Sequence, residues 1–292
     1  MDLSTFIITV FCLVDDWLKE RPPLRRRGPK PRLTDSEVLT IEIAGEFLGL
    51  DTDRALFRYF RCHYGEFFPT LRKVHRTTFA RQAANLWSLK EGLWQHMLGQ
   101  VHFDPAISLL DSFPVPVCRF ARAYRCRRLA EGSAFGHDEM AKQKFYGLRA
   151  HLKVCWPGVI SSTSLAPANV HDLHLVEELL EGAKGWALGD RSYWSPKLAE
   201  RLAEGGVFLL ASRNSSKKEQ KGWPRFLVQK RRRIETVIGQ LVERYKAKKV
   251  WARDLWHLTS RWLRKILSHT VAVYFCQRAG LSSLRFSGLL TD

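Results

Sequence analysis

A mixed α/β sheet preceded by an all-helical segment is the fold class this chain predicts. Three observations carry it. Hydrophobic spacing is helical over residues 1–98, it changes to strand-like alternation after residue 100, and both hairpin and crossover connections join the later strands. The 292 residues are 45% hydrophobic and 26% charged, which supplies a core and excludes a disordered tail protein. That length accommodates one large domain or two ordinary ones.

The apolar run 3–14 predicts a buried first helix. It follows Asp2 rather than basic residues and runs into Asp15-Asp16. At twelve residues it is too short to span a bilayer, so neither a signal peptide nor an anchor is expected. The basic, Pro-rich stretch 21–32 reads as an exposed connector. Thr34-Asp35-Ser36-Glu37 is a capping box opening an amphipathic helix to Leu48. Helical stretches at 55–60 and 76–93 complete an N-terminal domain over 1–98. A DNA-reading helix-turn-helix and a plain helical bundle both fit that pattern.

Residues 106–111 alternate like a strand ending at Asp111. Residues 151–156 and 159–165 form a hairpin about Pro157-Gly158. Residues 172–181 are helical, and 186–189 form a short strand ending at Asp190. Ser195 caps a helix with Pro196 at its first position, Gly205-Gly206 stop it, and 207–211 are a fifth strand. Residues 213–233 read as a basic loop, followed mostly by helix. A second domain is therefore expected over 99–292, with the C-terminal helices included.

The 47 Lys+Arg against 29 Asp+Glu leave a net charge of +18, which implies a polyanionic partner: nucleic acid or an anionic membrane. The lack of an anchor weakens the second. After residue 210 there are 19 basic and five acidic residues, so the partner is sought there. The six cysteines have no C-x-x-C pair, which excludes a disulfide scaffold and a zinc ribbon and fits reduced thiols in a cytosolic protein. Cys118, Cys126 and His137 also lack ligand spacing. Without a Gly-rich phosphate loop or a G-x-S-x-G elbow, ATP use and serine hydrolysis lack support.

Three carboxylates carry the chemistry. Asp111 and Asp190 each follow apolar strand residues, at the carboxyl ends where α/β sheets bind ligands. On neighbouring strands they repel unless a cation lies between them; alternatively each caps a turn. Glu235 falls among Ile234, Ile238, Leu241, Val242 and Tyr245, so helical spacing places it on the apolar side. A buried carboxylate needs a cation, either Arg231 or Arg232 or a bound metal. Two Asp and one Glu can hold two magnesium ions, roughly 3.5–4 Å apart, that clamp the attacking and leaving oxygens of an in-line displacement.

Ordered segments also carry a resemblance. Leu109-Leu110-Asp111-Ser112-Phe113-Pro114, Lys144-Phe145-Tyr146-Gly147-Leu148-Arg149-Ala150-His151-Leu152, Pro167-Ala168-Asn169-Val170-His171-Asp172, Leu188-Gly189-Asp190-Arg191-Ser192-Tyr193 and Arg233-Ile234-Glu235-Thr236-Val237 resemble the motifs of bacterial insertion-sequence DDE transposases. The nearest pattern is the family conventionally numbered nine-eight-two. Val14-Asp15-Asp16-Trp17 and Leu33-Thr34-Asp35-Ser36-Glu37-Val38 resemble its segments near the start. The second acidic motif commonly reads Asp-Lys-Gly-Tyr in that family, where this chain has Asp190-Arg191-Ser192-Tyr193. Arg149-Ala150 stand for its usual Lys-Leu.

The resemblance implies a ribonuclease-H-like domain with a five-stranded mixed sheet flanked by helices. It implies a catalytic, metal-binding triad of Asp111, Asp190 and Glu235, separated by 79 and 45 residues. Two Mg2+ ions, or Mn2+ in their place, would serve cleavage at element ends and transfer of 3′-hydroxyls into target DNA. Double-stranded DNA is the expected partner, the chain acting as a homodimer in the bacterial cytoplasm at the nucleoid, with no membrane partner. DNA contacts are expected at Arg119, Arg149, Arg191, Lys230, Arg231, Arg232, Arg233, Lys246, Lys248 and Lys249. The alternatives are a transposase-derived DNA-binding protein without catalysis and a ribonuclease-H-like nuclease without strand transfer.

Other features are weighed beside these. Arg119, Arg122, Arg125, Arg127 and Arg128 form a basic run that is either a donor-DNA contact or a solvated loop. His171 is expected to orient its turn and Asp172 to cap the following helix. Trp251, Trp256 and Trp262 are expected to pack the C-terminal helix rather than stack on bases.

Overall fold

A computed structural model describes residues 1–24, 30–211 and 225–290, with side chains over the same ranges except 225–228. The helices α1 (Leu3–Lys19), α2 (Asp35–Phe47), α3 (Asp53–His63), α4 (Arg76–Asn85) and α5 (Trp87–Leu98) come first. Strands β1 (Asp104–Pro116), β2 (Ala134–Asp138), β3 (Gln143–Trp156) and β4 (Val159–Pro167) follow. Then come α6 (Val176–Leu179), β5 (Gly185–Gly189), α7 (Pro196–Glu204), β6 (Val207–Ala211), α8 (Arg225–Glu243) and α9 (Leu255–Arg278).

The chain divides into two compact units: Met1–Val101 with Leu241–Asp292, and His102–Gln240. This corrects the expected division at residue 98, which gave everything after it to one domain. The reason is α9. Its residues from Trp262 to Val273 are buried without a break, and it packs on α2, α4 and α5.

In the first unit, α1 buries Phe6, Ile7, Val10, Val14 and Trp17, as its apolar run requires. The capping box opens α2: Thr34 Oγ1 accepts the Glu37 N–H at 3.1 Å, and the Glu37 carboxylate accepts the Thr34 N–H at 2.7 Å. The expected amphipathic α2 is instead buried all round from Val38 to Phe47. Its Glu42 and Glu46 are tolerated because they are paired. Lys90 Nζ lies 2.7 Å from Glu42, while Arg264 Nε lies 2.7 Å and Lys265 Nζ 3.0 Å from Glu46. Arg264 also reaches Asp53 at 2.9 Å. Two of the basic residues after position 210 are thus structural. The helical stretch expected over 76–93 breaks at Leu86 into α4 and α5. Trp262 is buried as expected, but Trp251 and Trp256 stand about half exposed, Trp256 edge-on to Trp87 at 5.6 Å. Among the described residues no helix is long and apolar enough to cross a membrane.

The second unit is built on one sheet. β1 runs antiparallel to β3, and β3 antiparallel to β4. On its other edge β1 pairs in parallel with β5, and β5 in parallel with β6. The order β4-β3-β1-β5-β6, with three antiparallel strands followed by two parallel crossovers, is a ribonuclease-H-like sheet. A sixth strand, β2, extends the β4 edge by pairing with the first part of β3. Sequence reading counted five because Ala-Phe-Gly-His-Asp has no β-branched residue and a glycine at its centre. Leu110, Leu175, Val176, Leu179, Ala187, Leu198 and Leu209 form the core under α6 and α7. The Ser195 cap and Pro196 open α7 as expected. Of the loop expected over 213–233, residues 213–224 lie outside the described ones, and 225–233 are helical instead, beginning α8.

Candidate active site

Asp111 does not end its strand, since β1 continues to Pro116. What ends there is the neighbour: β5 pairs with β1 only through Ile107, Ser108 and Leu109. Beyond Leu109 that edge of β1 has no parallel partner, and Asp111 lies two residues past the last pair. Asp190 follows Gly189, the last residue of β5, and its carboxylate acts on that of Asp111. Asp111 Oδ1 accepts the Ser112 N–H at 2.8 Å. Asp190 Oδ1 accepts the Ser192 N–H at 2.9 Å and caps the one-turn helix Arg191–Tyr193, so the turn-capping reading of Asp190 is also satisfied.

Burial pushes the Asp111 carboxyl up to about 7, and the Asp190 and Asp172 carboxylates push it the same way. The Ser112 N–H and the Arg231 guanidinium oppose them only in part. Tyr193 lies fully buried under the three carboxylates, and its hydroxyl has no hydrogen-bond partner. Burial, then Asp172, Asp111 and Asp190, hold its ionisation well above the usual range. Gly189 makes this packing fit, because a Cβ there would stand 2.7 Å from Tyr193 Cβ and Cγ.

Asp172 is the residue that sequence reading misplaced. His171, not Asp172, caps the turn, its Nδ1 accepting the Leu173 N–H at 3.2 Å. That frees Asp172 to accept the Ser112 hydroxyl at 3.0 Å and the Ser192 hydroxyl at 2.9 Å. The available signal was its place in the short turn that follows β4, but a helix start explained it equally well.

Glu235 also differs from expectation. It is exposed, and the buried stripe of α8 is Ile234, Val237 and Leu241, continued past the helix end by Tyr245. Sequence reading centred the stripe on Ile238 and Val242, which are only half-buried, and so turned the helix by about a quarter turn. The residue that α8 brings to Asp111 is Arg231, one turn before Glu235 on the same side of the helix.

The expected DNA-contact residues divide. Arg149 is held by the Ser112 hydroxyl at 3.4 Å and the His137 carbonyl at 2.8 Å, beside the carboxylates. Lys230 and Arg233 lie over the Trp156 ring at 4.1 and 5.2 Å. Arg119, Arg191 and Arg232 are exposed. Lys246, Lys248 and Lys249 belong to the other unit. That unit also carries a groove that sequence reading missed. It has about 490 Å³ and is lined by Arg54, Arg58, Arg61 and Arg76 around Phe57 and Val74. The first three follow at helical spacing on α3, and all four are exposed.

Neighbouring oxygen donors, an unpartnered buried hydroxyl and a destabilised carboxylate are the donor chemistry of a hard divalent cation. Among the described residues no three His, Cys, Asp or Glu side chains converge closely enough to enclose a metal. Asp111 and Asp190 offer two carboxylates, short of a closed metal site.

The family described as "Transposase DDE domain" matches residues 103–252, just over half of the 292. No curated protein matches. A solved structure described as the cryo-EM structure of piggyBac transposase synaptic complex with hairpin DNA is similar at TM-score 0.47 and 11% identity, over 96% of this chain and 75% of that one.

Proposed function

We propose, for a chain that belongs to the transposase DDE domain family, that it cleaves DNA at the ends of an insertion sequence and transfers the 3′-hydroxyls into target DNA. One observation carries this reading. Asp111 and Asp190 come together where β5 leaves β1, and the Arg231 guanidinium acts on the Asp111 carboxyl. The motif order supports a member of the bacterial family conventionally numbered nine-eight-two.

Asp111 and Asp190 would hold the divalent cation, Mg2+ or Mn2+, with Glu235 as the third acidic residue carried over from the resemblance. A second ion would use the same set. When bound, the cation supplies positive charge at the scissile phosphate and activates the attacking oxygen. The chain's own groups do the rest. Asp111 gives up its proton once its repulsion is offset, and Asp190 stays oriented by the Ser192 N–H. Arg231 meets the phosphodiester that approaches past the carboxylates. Lys230, Arg232 and Arg233 would add positive charge around α8, and Arg119, Arg149 and Arg191 would contact the phosphate backbone from the sheet side. In the helical unit, the Arg54, Arg58, Arg61 and Arg76 groove has the charge and open shape for a DNA backbone. Two ends must be joined in one reaction, so the chain would act as a homodimer on double-stranded DNA.

Purified chain is incubated with end-containing DNA, a target plasmid and Mg2+. Cleaved ends covalently joined to target support the reading. Cleavage without joining supports a nuclease instead, and binding without cleavage supports a DNA-binding protein.

A further inference from the structure

Ser112 follows Asp111, Ser192 lies two residues after Asp190, and one carboxylate grips both serines. Asp172 Oδ1 accepts the Ser112 hydroxyl at 3.0 Å, and that hydroxyl oxygen in turn faces Arg149 Nη1 at 3.4 Å. Asp172 Oδ2 lies 2.9 Å from the Ser192 hydroxyl, which also lies 2.5 Å from Asp190 Oδ1. A hydroxyl has a single hydrogen. Ser192 can therefore donate to Asp190 or to Asp172 but not to both, and one contact is left oxygen against oxygen.

Two buried groups nearby are also incomplete. Neither ring nitrogen of His151 has a hydrogen-bond partner, although its Nδ1 lies 3.5 Å from Asp172 Oδ1. The Tyr193 hydroxyl has none either. A buried polar group without a partner is destabilising, so these groups and the shared hydroxyl mark a site completed by a cation. Ser192 fits because the turn needs no left-handed residue there, and its side chain makes the Asp190–Ser192–Asp172 link.

We propose that Asp172 is a positioning residue: through the Ser192 hydroxyl it fixes the Asp190 carboxylate, and through Ser112, whose backbone N–H holds Asp111 Oδ1, it fixes the strand segment that carries Asp111, in the arrangement that takes a divalent cation. This rests on the cation site proposed above. Asp172 acts through the serines, in the manner of the outer partners that orient metal ligands.

The test is Mn2+ binding to the full chain without DNA, followed by the electron paramagnetic resonance signal of free Mn2+. Asp172→Asn keeps the side-chain shape and is expected to weaken binding about tenfold or more, with an unchanged urea midpoint. Ser112→Ala with Ser192→Ala is expected to weaken it comparably, and adding Asp172→Asn to that pair should cost little more. An Asp172→Asn chain that binds Mn2+ within about twofold of wild type overturns the inference, as does a fully additive triple variant. If Asp172→Asn does not fold, the serine pair decides by the same criterion. Absence of Mn2+ binding by the wild type instead overturns the cation site itself, which keeps the two failures apart.

Discussion

Replacing Asp111 by Asn should stabilise the metal-free protein, and only above acidic pH. The unfolded carboxyl ionises near its ordinary 3.8, the folded one near 7. A carboxyl raised in the fold contributes nothing below the lower value, because both states are protonated there. As pH rises from about 4 to about 7 the unfolded chain ionises first, and the fold loses stability until the loss levels off above about 7. A displacement of that size corresponds to about 4 kcal/mol, at about 1.36 kcal/mol per pH unit. Asp111 remains partly exposed, and solvent screening reduces the expected effect to about 2 kcal/mol. Asn keeps the Oδ1 that accepts the Ser112 N–H at 2.8 Å, so no hydrogen bond is lost. Urea unfolding in EDTA, followed by tryptophan fluorescence, should show equal stabilities near pH 4 and a more stable variant near pH 8. A variant that is less stable at both, or a difference independent of pH, would refute the reasoning.

Other perturbations test the remaining parts. Arg264→Met leaves Glu42, Glu46 and Asp53 short of a buried cation and should cost about 3–5 kcal/mol in urea unfolding; a loss under about 1 kcal/mol would contradict the pairing. Gly189→Ala drives a Cβ into Tyr193 and should lower stability by about 1–3 kcal/mol in thermal unfolding. Arg58→Ala with Arg61→Ala should weaken binding of unrelated duplexes alike and flatten the log–log salt dependence by about two. Unchanged salt dependence by fluorescence anisotropy would remove the groove from the DNA path.

Much of this was legible because local chemistry and tertiary structure agree. The Thr34–Glu37 box, the Pro157-Gly158 hairpin turn and the Ser195-Pro196 helix start depend on adjacent residues, and each stands where its sequence places it. Asp111 and Asp190 were legible as a pair because each follows apolar strand residues, and the pairing of β1 with β5 brings them near each other. The failures share another cause. The burial of α2 depends on cations 48 to 222 residues away, which no periodicity reports. The rotation of α8 turned on which of several apolar residues face the core, and Ile238 and Val242 gave a false centre. Asp172 was hidden by a choice of caps: His171 and Asp172 can both cap a turn, and only their surroundings decide between them.

The central claim is that Asp111 and Asp190 cut DNA that other residues bind. Duplex carrying the element ends is mixed with wild type, Asp111→Asn and Asp190→Asn in Mg2+, and binding and strand cleavage are read from the same samples. Binding within about threefold of wild type, about 0.65 kcal/mol at 1.4 kcal/mol per tenfold, together with loss of cleaved product in both variants, is the predicted result. Cleavage by either variant at the wild-type rate would contradict it.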